Sequence, residues 1–170
     1  MNTRMAGWTM VVISLGFAAT ALASSVKYDY DRGIDFSKWT KAAWRSRDAN
    51  PDMVEKRIAA AVELGFAGRG YVVVEPAASA DFLIEYRAMA WEEREIEDTW
   101  HGPAFGRSLR VSRERKGALA IRVYDRSTGK LAWHGVVSDA LADSPEQADR
   151  KTAKAVEQLL KKFPARGGGK

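Results

Sequence analysis

Residues 117–141, GALAIRVYDRSTGKLAWHGVVSDAL, decide the fold, because they predict a pair of strands with a turn between them. Apolar residues occupy alternate positions in each half: Leu119, Ile121 and Val123 in the first, and Leu131, Trp133 and Val137 in the second. Such alternation is typical of strands with one buried face. The segment DRSTGK between the halves is a hairpin-type turn, and strands joined by a short turn pair antiparallel. The stretch therefore predicts an antiparallel hairpin.

Four further segments predict strands of the same sheet. Residues 81–91 alternate apolar and polar side chains, and the strand can continue into the acidic run at 92–98. Residues 26–30 alternate in the same way, which predicts a strand with one solvent-exposed face. Residues 42–44 indicate a short strand, and YVVV at 71–74 predicts a central strand because it is apolar and β-branched.

Two amphipathic helices complete the pattern. Asn50 and Pro51 form a helix start, and Gly68 and Gly70 supply the stop. Ser144 begins the second helix as its N-cap. The predicted buried stripes are Val54, Ile58, Ala61, Val62 and Gly65 in the first helix, and Ala148, Thr152, Ala155, Val156, Leu159 and Phe163 in the second.

These elements predict an α+β domain, because apolar helix stripes must cover one face of a sheet whose strands are joined by short turns. We expect a two-layer sandwich, with a mainly antiparallel sheet of four to five strands and two helices on one face. Residues 24–164 are predicted to form a single domain. Ile34, Phe36 and Trp39 are predicted to fold back as aromatic cover on one side of it.

The N-terminal residues 1–23 are typical of a secretory signal peptide. Arg4 gives a positive start, an apolar run follows, and Ala21 and Ala23 form a small-residue cleavage site before Ser24. The predicted location is therefore periplasmic or secreted, with no membrane span in the mature form, because the apolar run is shorter than a comfortable spanning helix. The alternative is an uncleaved N-terminal anchor. Residues 165–170 are predicted to be a frayed tail.

Composition excludes several classes of protein. The chain has no cysteine, so disulfides, thiolate metal sites and a lipidated cysteine are absent. Its formal charge of +5 is basic, but an exported protein seldom meets nucleic acid, so no nucleic-acid partner is expected. Weak attraction to anionic envelope surfaces fits the charge better.

No pattern in the chain indicates catalysis. Adjacent acids in the 92–98 run point to opposite faces of a strand, and the spacing of a calcium loop is absent. His101 and His134 are the only histidines, and we interpret both as ordinary surface residues. We predict no catalytic residue, no cofactor and no metal site.

A charged hairpin is the best candidate for an interaction surface. The acidic run is followed, after a Gly- and Pro-containing loop, by a basic run, so acids are predicted to face bases across the hairpin. The candidate surface residues are Trp91, Trp100, Arg107, Arg110, Arg113, Arg115 and Lys116.

The chain resembles the DUF4136 family, bacterial envelope proteins whose domain has no known function. The resemblance lies in five segments taken in order: YDYDRGIDFSKWTKAAW (28–44), RIAAAVELGFAGRGY (57–71), ADFLIEYRAMAWEERE (80–95), residues 117–141, and AVEQLLKKFP (155–164). It implies an exported α+β domain without established chemistry. Many members look like lipoproteins, and this chain departs from them because it has no cysteine to lipidate.

The sequence therefore predicts a non-catalytic exported envelope domain that recognises another envelope component, a protein or an anionic polymer, through the hairpin. Two alternatives stay open. One is a hydrolase of envelope polymers that uses carboxylates of the 92–98 run. The other is a structural subunit of an envelope assembly, and the sequence leaves the oligomeric state undetermined.

Overall fold

The computed structural model describes residues 25–49, 52–100, 103, 106–142 and 144–164. Several sequence predictions lie outside these ranges: the signal peptide with its cleavage residues Ala21, Ala23 and Ser24, the helix start at Asn50 and Pro51, His101, and the tail 165–170. The described elements are β1 (Ser25–Tyr30), β2 (Lys41–Asp48), α1 (Asp52–Ala67), β3 (Val72–Val73), β4 (Phe82–Trp100), β5 (Arg107–Asp125), β6 (Leu131–Ala140) and α2 (Pro145–Leu160).

In the part of the chain that the structure describes, the sheet has six strands in the order β1-β6-β5-β4-β2-β3, so the predicted number of four to five strands was too small. The predicted hairpin of β5 and β6 is confirmed, and β4 and β1 extend its antiparallel pairing. In contrast, β2 pairs parallel with both β4 and β3, which makes the sheet mixed. The short strand predicted at 42–44 lies within β2, but the sequence missed the length and parallel pairing of this strand because AAWRSRD does not alternate and the register shifts between Trp44 and Ser46.

The predicted central strand at 71–74 was wrong. The strand there, β3, has two residues and lies at the edge of the sheet, because β2 separates it from β4. Tyr71 just before it is buried, whereas Val72 is 59% exposed. This apolar β-branched run thus forms an edge strand, and the buried Tyr71 ring and the partly buried Val73 connect it to the core.

Both helices pack on the same face of the sheet and against each other. A Cβ atom added at Gly65 of α1 would lie 2.6 Å from the Cδ1 atom of Leu160, so this glycine permits the close approach of α2. Ser144 caps α2 as predicted, because its hydroxyl accepts a hydrogen bond from the Gln147 amide. The principal core residues are Ile58, Val62, Phe66, Phe82, Ile84, Tyr86, Ile121, Val123, Trp133, Val156, Leu159, Leu160 and Phe163.

The segment after β1 is the predicted aromatic cover. Phe36 makes an edge-to-face contact with Phe163 at 5.6 Å between ring centroids, and Trp39 stacks on Phe82 at 5.1 Å. Both side chains are buried. The two rings therefore close the end of the sandwich where α2 finishes.

Candidate interaction surface

The outer parts of β4 and β5 extend past the rest of the sheet as a two-stranded ribbon. β2 pairs with β4 only as far as Arg87, and β6 pairs with β5 only as far as Lys116. The pair of Trp91 and Lys116 marks this limit, and nine further cross-strand pairs follow it, as far as Trp100 opposite Arg107. We call residues 91–100 and 107–116 the arm. Every arm residue except Lys116 is exposed.

The arm has two faces, and strand alternation assigns each residue to one of them. Phe82, Ile84 and Tyr86 face the helices, and the pairing of β4 with β5 continues without a shift to Trp100. We call the face that continues this side the front face. Its residues are Glu92, Arg94, Ile96, Asp98, Trp100, Arg107, Leu109, Val111, Arg113 and Arg115.

The opposite side of the arm, which we call the back face, differs in chemistry. The front face combines four arginines and two carboxylates with four large apolar side chains. The back face has four glutamates and two basic residues, and its one large apolar residue, Trp91, lies at the base of the arm. The back-face residues are Trp91, Glu93, Glu95, Glu97, Thr99, Ser108, Arg110, Ser112, Glu114 and Lys116.

Charge pairing across the arm is only partly as predicted. Acids do face bases at Glu92–Arg115 and Glu97–Arg110, but Arg94 lies opposite Arg113 and Glu93 lies opposite Glu114. The close ion pairs are diagonal instead: Arg107 contacts Asp98 at 2.9 Å, and Lys116 contacts Glu93.

Lys116 partly relieves the like-charge pair on the back face. Its ammonium lies between Glu93 and Glu114, at 3.6 Å from the latter, and the hydrogen bond to Glu93 raises the pKa of Lys116 above its usual value. Within the described residues, neither Arg94 nor Arg113 forms an ion pair. The front-face pair therefore keeps its repulsion, which is unfavourable when like charges lie directly opposite each other.

A groove of about 380 Å³ lies at the base of the arm, between the N-terminal halves of the two helices. Its floor is formed by the sheet and its walls by α1, α2 and Leu141. Arg115 lines the groove and also belongs to the front face, so the two surfaces are continuous. The mainly apolar lining includes Val54, Ile58, Leu119, Val137, Leu141 and Ala155.

The structure does not bring the acidic run together as a catalytic site. Glu92 and Asp98 lie on the front face, whereas Glu93, Glu95 and Glu97 lie on the back face, and all five are exposed. Among the described residues, no three His, Cys, Asp or Glu side chains form a group that could hold a metal ion. His134 is half-buried in β6.

Comparison with known proteins identifies the family. The model of a domain of unknown function, DUF4136, matches residues 26–165. The chain belongs to the DUF4136 family. The match confirms the resemblance seen in the sequence, and it indicates no catalytic class. A search of curated proteins finds no match.

Solved structures share the DUF4136 fold at low identity. A PDZ domain protein from Parabacteroides distasonis ATCC 8503 is 19% identical over 82% of this chain, with a TM-score of 0.58, and this chain covers 35% of it. A PelC dodecamer from Paraburkholderia phytofirmans is 11% identical, with a TM-score of 0.56, over 85% of this chain and 99% of that one.

A DUF4136 family protein from Bacteroides thetaiotaomicron VPI-5482 is also similar. It is 14% identical, with a TM-score of 0.54, over 84% of this chain and 97% of that one. At these identities the likeness establishes the fold alone. Within the described residues, neither helix of this DUF4136 chain has the length and apolarity of a membrane span.

The sequence-predicted surface residues all lie on the arm of this DUF4136 domain, but they divide between its two faces. Trp100, Arg107, Arg113 and Arg115 lie on the front face, and Trp91, Arg110 and Lys116 lie on the back face. Sequence reasoning missed four front-face residues, Arg94, Ile96, Leu109 and Val111. Strict alternation along β4 from the buried Phe82, Ile84 and Tyr86 places Arg94 and Ile96 on this face. The register between β4 and β5 then places Leu109 and Val111 there as well.

Proposed function

We propose that this chain is a non-catalytic exported envelope domain that recognises another envelope component, a protein or an anionic polymer, through its arm. The observation that supports this most is the front face, where arginines surround exposed apolar side chains on a ribbon that covers no part of the core. Trp100 and Leu109 of this face are 63% and 70% exposed. Exposed apolar groups beside cations are typical of contact surfaces.

The hydrolase alternative finds less support. Glycosidases hold two carboxylates in a cleft, about 5–9.5 Å apart. The acids of the 92–98 run instead stand on an open ribbon and divide between its faces.

A front-face variant tests the proposal. We expect Arg94→Ser, Arg113→Ser and Arg115→Ser together to abolish capture of envelope components and binding of polygalacturonate, an acidic polysaccharide probe. The matched control is Lys38→Ser, Lys130→Ser and Lys161→Ser, which removes the same charge from exposed residues at the other end of the sheet. Equal binding by both variants, with unchanged circular dichroism, would contradict the proposal.

A second candidate, a subunit of a homomeric envelope assembly, is favoured by the fold shared with the PelC dodecamer. That likeness spans nearly the whole of the PelC chain. Native mass measurement over a range of concentrations tests this candidate. A monomer at every concentration would remove it.

A further inference from the structure

We infer that the front face of the arm binds the back face of the arm in a second copy of this chain. The inference rests on the second candidate of the proposed function, the homomeric assembly, and it names the two surfaces through which the copies meet. Two different faces meet in this contact. Such a contact is heterologous and adds copies in one direction, so it produces a ring or a filament.

Apolar exposure is concentrated on one face of the arm. Ile96 lies opposite Val111, and the two are 65% and 58% exposed. Leu109 and Trp100 extend this apolar strip towards the tip. A two-stranded ribbon is marginally stable by itself in water. Beyond Arg115 at the base, no further strand pairs with the outer edges of the arm among the described residues. A partner that covers the strip would remove this apolar surface from water and thereby stabilise the ribbon.

The charges of the two faces are complementary. Four arginines and two carboxylates give the front face a net positive charge, and four glutamates and two basic residues give the back face a net negative charge of equal size. Complementary potentials of this kind bring partners together and select orientation. A second copy carries both faces, so no other molecule is needed to match them.

The two like-charge pairs fit this arrangement at the level of single residues. Arg94 follows Glu93 in the chain, and Arg113 precedes Glu114, so the positive and negative pairs lie back to back at one level of the arm. A second arm that crosses the first at this level, with its own sheet and helices turned away from the body of the first copy, places the arginine pair of one copy over the glutamate pair of the other. The attraction between the two arms then offsets the repulsion within each like-charge pair.

The size of the contact predicts its strength. Ten residue pairs at about 3.3 Å per residue make a face about 33 Å long and roughly two strand spacings wide, or about 330 Å². A standard interface covers about 800 Å² on each partner. Contact through the arm alone is therefore weak, and we expect association to depend on concentration and to decrease with salt.

Charge-reversal variants of the purified chain test the inference by sedimentation velocity, from about 1 µM to about 500 µM. The front variant is Arg94→Glu with Arg113→Glu, and the back variant is Glu93→Lys with Glu114→Lys. All four residues are exposed, and each variant replaces one like-charge pair by another; the back variant also removes the ion pairs of Lys116 with Glu93 and Glu114. We expect the wild-type chain to associate and both variants to remain monomeric.

The variant with all four reversals is decisive. Its front face is negative and its back face positive, so front-to-back contact is possible again, and we expect association to return to the wild-type concentration range. Contact between two front faces would remain repulsive in this variant. Lys38→Glu with Lys161→Glu is the control for net charge, and we expect it to associate like the wild type.

Three results would overturn the inference, and they separate it from the proposed function. A monomeric wild-type chain, association that survives either reversal, or failure of the fourfold variant to associate would each do so. In all three cases, loss of envelope capture by the front-face serine variant would still support the proposed function. If the back variant fails to fold, Glu93→Gln with Glu114→Gln replaces it, and undiminished association would again contradict the inference.

Discussion

Arg94 lies directly opposite Arg113 on the front face of the arm, and the adjacent residues Glu93 and Glu114 lie opposite each other on the back face. Two like-charge pairs of opposite sign therefore occupy the same level of a two-stranded ribbon. Each pair is unfavourable for the isolated hairpin, since like charges directly opposite each other repel.

Reversing one of these charges should stabilise the arm. In Arg113→Glu, a carboxylate faces Arg94, and an opposite-charge cross-strand pair contributes about 0.2–1 kcal/mol. We expect amide hydrogen exchange in residues 91–100 and 107–116 to slow by about 1.4- to 5-fold. Arg113→Gln, which removes the charge without adding an attraction, is the control and should slow exchange less. Faster exchange in Arg113→Glu would show that the two arginines do not repel each other.

Asp81 makes the stability of the folded protein depend on pH. Its carboxylate accepts hydrogen bonds from the amides of Thr40 and Lys41, at 2.7 and 2.8 Å, and so joins the start of β2 to the start of β4. Partial burial acts to raise the pKa of Asp81, but these hydrogen bonds outweigh it and hold the pKa below its usual value of 3.8.

Because the pKa is depressed in the folded state, the Asp81 carboxylate stabilises the fold above that usual value, and its contribution disappears as pH falls through the folded pKa. We expect Asp81→Asn to lower the free energy of unfolding by about 1.5–3 kcal/mol at neutral pH. The difference from wild type should shrink at about pH 2.5, as measured by urea denaturation. An equal difference at both pH values would contradict the role of the charge.

Trp133 is the largest buried side chain of β6. It is fully buried, and its indole N–H donates to the Lys162 carbonyl at 3.2 Å. We expect Trp133→Ala to lower the free energy of unfolding by about 3–5 kcal/mol, because the cavity lies in a packed core. Trp100→Ala, which removes an exposed ring, should change it by less than about 0.5 kcal/mol. A loss under about 1 kcal/mol for Trp133→Ala would place that ring outside the core.

Gly135 leaves room for the Trp133 ring. A Cβ atom added there would lie 2.5 Å from the Cη2 atom of Trp133 and 2.9 Å from the Cδ2 atom of Leu159. We expect Gly135→Ala to destabilise the protein by about 1–3 kcal/mol in thermal or urea unfolding. Gly33→Ala is the control, since its nearest neighbour is the side-chain oxygen of Asp31 at 3.2 Å. Similar effects at both glycines would indicate that the ring over Gly135 moves freely.

The sequence by itself determined the α+β class, both helices and the hairpin of β5 and β6. These depend on local signals, such as the alternation around Trp133 and the cap at Ser144, which act within a few residues. It also determined that charged residues concentrate in the arm. The family follows from the same ordered segments.

Only the tertiary structure decided the parallel position of β2 and the two faces of the arm. Ala42 pairs with Phe82 forty residues later, and nothing local in residues 41–48 specifies that partner. The face of each arm residue depends on the register between strands, which is set by the buried side chains of Phe82, Ile84 and Tyr86. A shift of one residue exchanges the faces of a strand, so the opposition of Arg94 and Arg113 became visible only when both strands were placed.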